Sequence, residues 1–530
     1  MVRHGLGIAI FSVLSAVSLS VIGCGGTGSG MGVLDPFPTS THSTPTGTST
    51  PVPPTPDDPD NKVYDVISTK DLRNPVYQYA DDGNCVYTVQ GFTVGGSGMN
   101  EQQCKYRLLK YNTTDKEADP QEITIEVRDG GGYTKKDLAN PYYITGIIDD
   151  KGTPDKKGDD HLYLAVTDLG TDKAVYLMDL GAREKGWNKA RAVNILKFST
   201  GLGATCPLTC SFGNSSYNRN NDAINTIFFT DYAEDGNVKF VAFDETVFDK
   251  GKPTDKIENN CGNVFNAGAL KYPAMVKADQ GPWATVTCQG DNRIYFFANN
   301  KNKDAFSSGD SKYPLAMTSK KYVNYIEPED NHIDLQNPYD FAWVSGVADD
   351  EGDDSYYLAV ASGFALDAYG RSTSPDKKGA LWIYKFSNKY AESLQNIYIN
   401  DGDYTLILEK LQYPVNIAFT NPINQSAKRY LDIAYLTTGT SINYNKKDLQ
   451  GTLSFCRYDV KSKKLVNESD VSFLDKIVDP FGLIALPGDL AENSYPVQFL
   501  FTTHWNWGGD LTEKSHIYSF SKKIDLEAGN

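Results

Sequence analysis

The chain has 530 residues, 51 of them Lys or Arg against 67 Asp or Glu, for a net charge of −16. An acidic surface without a Lys/Arg-rich stripe repels phosphate backbones, which argues against nucleic acid as a partner. Six histidines, and no HExxH, GxSxG, Walker or His/Cys metal-spacing motif, leave serine-hydrolase, zinc-protease and nucleotide-hydrolysing readings without support.

In chain order, Arg3 and His4 make a short basic start, Gly5 to Ser20 is an uncharged apolar run, and Val21-Ile22-Gly23-Cys24 follows. The run is too short and too rich in Gly and Ser for a span of about 20 apolar residues. An aliphatic residue three before a Cys and a small one just before it resemble the lipobox of bacterial lipoproteins. The resemblance covers residues 1–24 only. It implies that residues 1–23 are a signal peptide, removed to leave Cys24 as a lipidated N-terminus carrying a diacylglycerol thioether. The protein is then expected in the cell envelope, held to a membrane on its extracytoplasmic side. Gly25 rather than Asp follows the Cys, which favours the outer membrane or cell surface over the inner membrane. Residues 25–61, almost all Gly, Ser, Thr and Pro, cannot bury enough apolar surface to fold and read as a tether.

Residues 62–530 read as one repeat domain. A Pro followed by an apolar or aromatic residue and a strand-like run recurs at Pro75, Pro141, Pro207, Pro273, Pro338, Pro414 and Pro480, with separations of 66, 66, 66, 65, 76 and 66 residues. Each unit carries further β-branched and aromatic runs, such as HLYLAV at 161–166, AVYLMDL at 174–180, YYLAVAS from Tyr356 and YLDIAYLT from Tyr430. Fourth strands are expected at EITIEV (122–127), AVNILKF (192–198) and TLILEKL (405–411). Seven units of four antiparallel strands predict an all-β fold, a seven-bladed β-propeller. It resembles NHL- and WD-type propellers in architecture alone. Unit seven lacks a fourth strand, and YDVIST at 64–69 has no blade of its own, so the N-terminal strand is expected to complete blade seven from outside and remove an open edge.

Pro donates no hydrogen bond and suits the first residue of a strand, which places each X-Pro at the start of an innermost strand, near the channel mouth. The preceding residues, Asn74, Asn140, Cys206, Tyr272, Asn337, Tyr413 and Asp479, would ring that mouth, with Asn and Asp there capping turns. The loops between second and third strands share this face. They are long in blades one, five, six and seven, and blade seven carries His504-Trp505-Asn506-Trp507-Gly508-Gly509-Asp510. Four neighbouring blades thus form one wall, in which His504, Trp505, Trp507 and Asp510 are candidate ligand-binding residues.

Seven cysteines besides Cys24 have no zinc spacing, and export favours structural cystines. Cys85 and Cys104 are the expected pair, and Cys456 the free thiol. Two acidic stretches, Asp149 to Asp160 and Asp349 to Asp354, carry closely spaced carboxylates that calcium favours. They lack the full EF-hand spacing and read as solvated hairpin turns on the opposite face. No cofactor is otherwise expected.

The reading these features favour is recognition, with the propeller face taking a protein, peptide or glycan ligand. The alternatives are a metal-dependent propeller hydrolase resembling calcium-dependent lactonases, with Asn74, Asn140, Asn337 and Asp479 as oxygen ligands, and a structural envelope assembly factor using the rim.

Overall fold

A computed structural model describes residues 62–65 and most of residues 75–526; segments 1–61, 66–74, 91–105, 251–260, 299–323, 364–378, 388–403, 438–449, 504–515 and several shorter stretches lie outside the described residues. The chain forms seven sheets, each built around antiparallel strands, arranged as a seven-bladed β-propeller. Each blade runs from an inner strand outward. Blade two shows the plan with Pro141–Asp149, His161–Asp168, Ala174–Ala182 and Lys189–Asn194. The middle strands are apolar on both faces because each blade is sandwiched between neighbours; every residue of His161–Asp168 after His161 is buried.

Each inner strand touches the inner strand of the next blade, from blade one round to blade seven and back to blade one. The ring is closed by the N-terminal strand Lys62–Asp65, which lies antiparallel on His516–Asp525 with Val63 opposite Phe520 and Tyr64 opposite Ser519. The outer closure expected from the sequence is therefore present, two residues earlier than YDVIST suggested. It leaves blade seven with the order Phe481–Pro487, Ser494–Thr503, His516–Asp525, Lys62–Asp65.

Two outer strands depart from expectation. Residues 122–127 do not form one fourth strand of blade one. Only Gln121–Glu122 pairs there, and Thr124–Asp129 crosses to blade two, where it lies parallel to Lys189–Asn194 and turns back through Gly132–Lys135. The handover falls at Ile123 and Thr124, whose N–H groups donate to Leu108 O of blade one and Asn188 O of blade two at 2.9 and 3.4 Å. Ile123, Ile125 and Val127 are buried. Their alternation fits either edge equally, so sequence periodicity could not choose between them. In 192–198 the strand ends at Asn194 and Ile195–Lys197 continue as a single 3-10 turn. The strand Tyr404–Leu411 lies where TLILEKL placed it.

Candidate functional site

Five of the seven repeat prolines, Pro141, Pro207, Pro273, Pro338 and Pro414, are the first residues of inner strands. In blades two to five the residue before the Pro is tied to the end of the neighbouring second strand through its carbonyl. Leu169 N donates to Asn140 O (2.9 Å), Tyr232 N to Cys206 O (2.8 Å), Gln289 N to Tyr272 O (3.1 Å) and Gly363 N to Asn337 O (3.0 Å). The X-Pro turns and the second-to-third-strand loops therefore share one face. Blades two and three add a buried carboxylate beneath the turn. Asp168 accepts from Ala139 N, Asn140 N and Gly170 N at 2.6–3.0 Å, and Asp231 Oδ1 from Thr205 N and Cys206 N at 2.8 and 3.0 Å. Burial pushes the Asp168 carboxyl above its ordinary range, although the three N–H donors pull it down.

Just past the Pro the inner ladder slips in blades two to seven. In blades two, three and four a threonine hydroxyl satisfies the N–H left by the slip: Thr167 for Tyr143, Thr230 for Thr209 and Thr287 for Met275, at 3.0–3.2 Å. Such hydroxyls also reach the next blade, since Thr167 Oγ1 donates to Leu208 O (2.9 Å) and Thr502 Oγ1 to Val76 O across the closure (3.2 Å).

Directly beneath the turns the channel is filled. Tyr77 of blade one packs on Tyr142 of blade two (5.6 Å between ring centroids) and Phe481 of blade seven (5.1 Å), and Phe481 on Tyr339 of blade five (5.9 Å). The Tyr142 phenol interacts with those of both Tyr77 and Tyr339. Blades two and five are not neighbours in the ring, so this contact crosses the axis. Burial, and then the neighbouring Tyr339 and Tyr142, hold the Tyr77 phenol well above its ordinary value. A polar arc runs beside the plug. Lys277 Nζ of blade four bonds Asp340 Oδ1 of blade five (2.7 Å), whose Oδ2 accepts from Asn416 Nδ2 of blade six (3.1 Å). Asn416 Oδ1 accepts from Gly482 N of blade seven, and Gly482 O from Gln78 Nε2 of blade one, both at 2.9 Å. Gly482 is suited to this position by its φ of +67° and by the 2.6 Å that would separate a Cβ from Val76 O.

Asn140, Cys206, Tyr272 and Asn337 immediately precede inner strands, on the face of the second-to-third-strand loops; Asn74, Tyr413 and Asp479 lie outside the described residues, as do His504, Trp505, Trp507 and Asp510. Loop asymmetry is retained in the strand bounds. Residues 91–106, 363–378, 438–449 and 504–515 separate second and third strands in blades one, five, six and seven, against 169–173, 232–236 and 289–292 in blades two, three and four. The second-to-third-strand segments are thus long on four consecutive blades and short on three.

Of the four oxygen groups considered as calcium ligands, Asn140 and Asn337 are described, whereas Asn74 and Asp479 lie outside the described residues. Asp340, the carboxylate of the channel arc, is committed to Lys277, and at Asn337 the one oxygen left over is a buried Oδ1 with no hydrogen-bond partner. On the opposite face, Asp149 pairs with Lys151 (3.0 Å), which also bonds Glu245 of blade three; residues 349–353 lie outside the described residues. No disulfide joins the described cysteines, and Cys104, the expected partner of Cys85, is not among them.

No protein-family model matches the chain, and no curated protein matches its sequence significantly. Solved structures similar to it include a streptogramin B lyase (9% identity, TM-score 0.34, covering 87% of this chain and 97% of that one). A protein of unknown function from Dyadobacter fermentans covers 88% of this chain and 100% of its own (8% identity, TM-score 0.35). An alpha-L-arabinofuranosidase from Fusarium graminearum covers 86% and 93% (9% identity, TM-score 0.35). At these scores the likeness supports neither an activity nor a substrate.

Proposed function

We propose that this protein is a recognition module, lipid-anchored through Cys24 and raised from the membrane on residues 25–61, that takes a protein, peptide or glycan ligand at the mouth bearing the X-Pro turns. The observation that carries the reading is the asymmetry of that mouth. Segments of 12 to 16 residues join second and third strands on four consecutive blades and segments of 4 or 5 on the other three, and the channel is closed by Tyr77, Tyr142, Tyr339 and Phe481. A blocked axis beside long segments on four consecutive blades favours a one-sided binding face over a conduit, and long loops on a rigid scaffold are where binding residues concentrate. A channel whose carboxylate is neutralised by Lys277 gives hydrolysis little support. In this reading Trp505 and Trp507, flanked by His504 and Asp510, are the aromatic anchors of that face.

The test replaces Trp505 and Trp507 by Ala together and measures the melting temperature beside binding to a glycan array and a displayed peptide library. The expected result is lost binding with an unchanged midpoint. A loss of several kcal/mol in stability, as core Trp→Ala changes produce, refutes their role as anchors, and retained binding moves the site to another face.

A further inference from the structure

Blade four, on the side of the short segments, carries an aromatic residue held in an unusual way. Tyr272, the residue before Pro273 in blade four, has φ +51°. That is a sparsely populated conformation for a bulky side chain, and one the following proline disfavours further. Its backbone is fixed on both sides: Tyr272 N donates to Ala233 O of blade three at 2.8 Å, and Tyr272 O accepts from Gln289 N at 3.1 Å. The ring is half-buried and rests on Tyr232, 5.2 Å between centroids, and Tyr232 is itself anchored through its hydroxyl to Gln289 Oε1 (2.9 Å). Gly290 makes room for it, since a Cβ there would stand 2.7 Å from Tyr272 Cδ2. Strain of this kind persists where the surroundings over-determine it, and it recurs at ligand clamps.

The bond to Ala233 sets Tyr272 beside the blade-three turn, whose next two residues are Glu234 and Asp235, both exposed. After burial, these two carboxylates are the causes that raise the Tyr272 phenol, so their field reaches the ring. Neither is ion-paired among the described residues, whereas Asp291 on the adjacent turn faces Arg293 at 3.9 Å. Lys271, next to Tyr272, is exposed. A fixed aromatic ring flanked by two uncompensated carboxylates is what a guanidinium or ammonium group recognises, through the ring face and through charge.

We propose that Tyr272, Glu234 and Asp235 form a subsite for an Arg or Lys side chain of a basic segment in a partner protein. This rests on the reading of the mouth as the binding face and specifies the partner that face takes. Charge complementarity supports it, the chain carrying a net −16, and the fixed ring binds without the ordering cost of a free side chain.

The experiment titrates labelled hexaarginine, with hexaglutamate as the counter-probe, into the full chain by fluorescence anisotropy. Hexaarginine is expected to bind with an affinity that falls as salt rises, and hexaglutamate not to bind. E234Q/D235N should weaken hexaarginine by roughly three- to tenfold, as the loss of two partly screened ion pairs does. Tyr272→Leu should weaken it and Tyr272→Phe leave it unchanged. A control that removes two charges from the opposite face, D155N/E184Q, should leave binding intact. Absent hexaarginine binding, unchanged affinity in E234Q/D235N, or equal weakening by the control overturns the subsite. None of these touches the mouth reading, which is decided by the Trp505 and Trp507 variant.

Discussion

Replacing Asp340 by Ala tests whether the polar arc holds blades four, five and six together. Asp340 is 3% exposed. It accepts from Lys277 Nζ at 2.7 Å, Phe341 N at 2.8 Å, Asn416 Nδ2 at 3.1 Å and Ile417 N at 3.3 Å. The Ala variant leaves the Lys277 ammonium with the Phe341 carbonyl as its remaining bond. Removing one partner of a buried pair costs about 3–5 kcal/mol. The Lys277 side chain is 14% exposed and recovers some hydration, which sets the expectation near 3 kcal/mol. Asp340→Asn keeps the shape and two acceptor-donor contacts and should cost about 1–2 kcal/mol. The pair K277M/D340L removes both charges and should lie within about 1 kcal/mol of the native protein, because matched removal avoids the stranded charge. Guanidinium unfolding of all four proteins, with slopes compared so that midpoints are commensurable, gives these differences. A cost below 1 kcal/mol for Asp340→Ala, or a K277M/D340L variant at least as unstable as Asp340→Ala, would refute the argument that the pair is buried and interdependent.

Thr167→Val strands the Tyr143 N–H and the Leu208 carbonyl at once, so it should cost about 2–3 kcal/mol in unfolding free energy while Thr167→Ser costs much less. Burial raises the Asp179 carboxyl, but His161, Arg191 and the Gly181 N–H outweigh it and hold the folded-state pKa below its ordinary value. Its contribution is therefore present above the unfolded value of about 3.9 and lost as pH falls through the folded one. Asp179→Asn should be destabilised at pH 7 and converge on the native protein in acid, and a pH-independent gap in melting temperature would contradict this. Deleting residues 62–65 bares the edge of His516–Asp525 and should lower the melting temperature or cause aggregation, whereas deleting residues 25–61 should not; equal midpoints would remove the closure strand's role. Cys24→Ser should release the protein from the membrane fraction, and unchanged membrane association would refute lipidation.

The propeller was legible because its signal is covalent and periodic. Pro lacks an N–H, so the fold can place it only where the ladder does not need one, and Pro141, Pro207, Pro273, Pro338 and Pro414 mark the same strand start five times. The destination of residues 124–129 was illegible for the converse reason. Ile125 and Val127 say which way the strand faces, not which blade's edge it joins, and nothing local separates the outer edge of blade one from that of blade two. At the mouth, the ring of residues before Pro was found, but its interest was assigned to side-chain oxygens. In the structure the carbonyls of Asn140, Cys206, Tyr272 and Asn337 do the same job whatever the side chain, which frees that position to vary among Asn, Cys and Tyr. The channel residues were missed although a signal existed. With the units aligned on Pro, the second residue after it is Tyr77, Tyr143, Thr209, Met275, Asp340, Asn416 and Gly482. A carboxylate and an amide in a column that elsewhere holds two Tyr, a Thr, a Met and a Gly depart from the apolar expectation for an inner strand. A buried charge in a repeat position survives only with a partner on an adjacent repeat. The search for that partner leads to the neighbouring inner strand, where Lys277 is the basic residue that closes the pair.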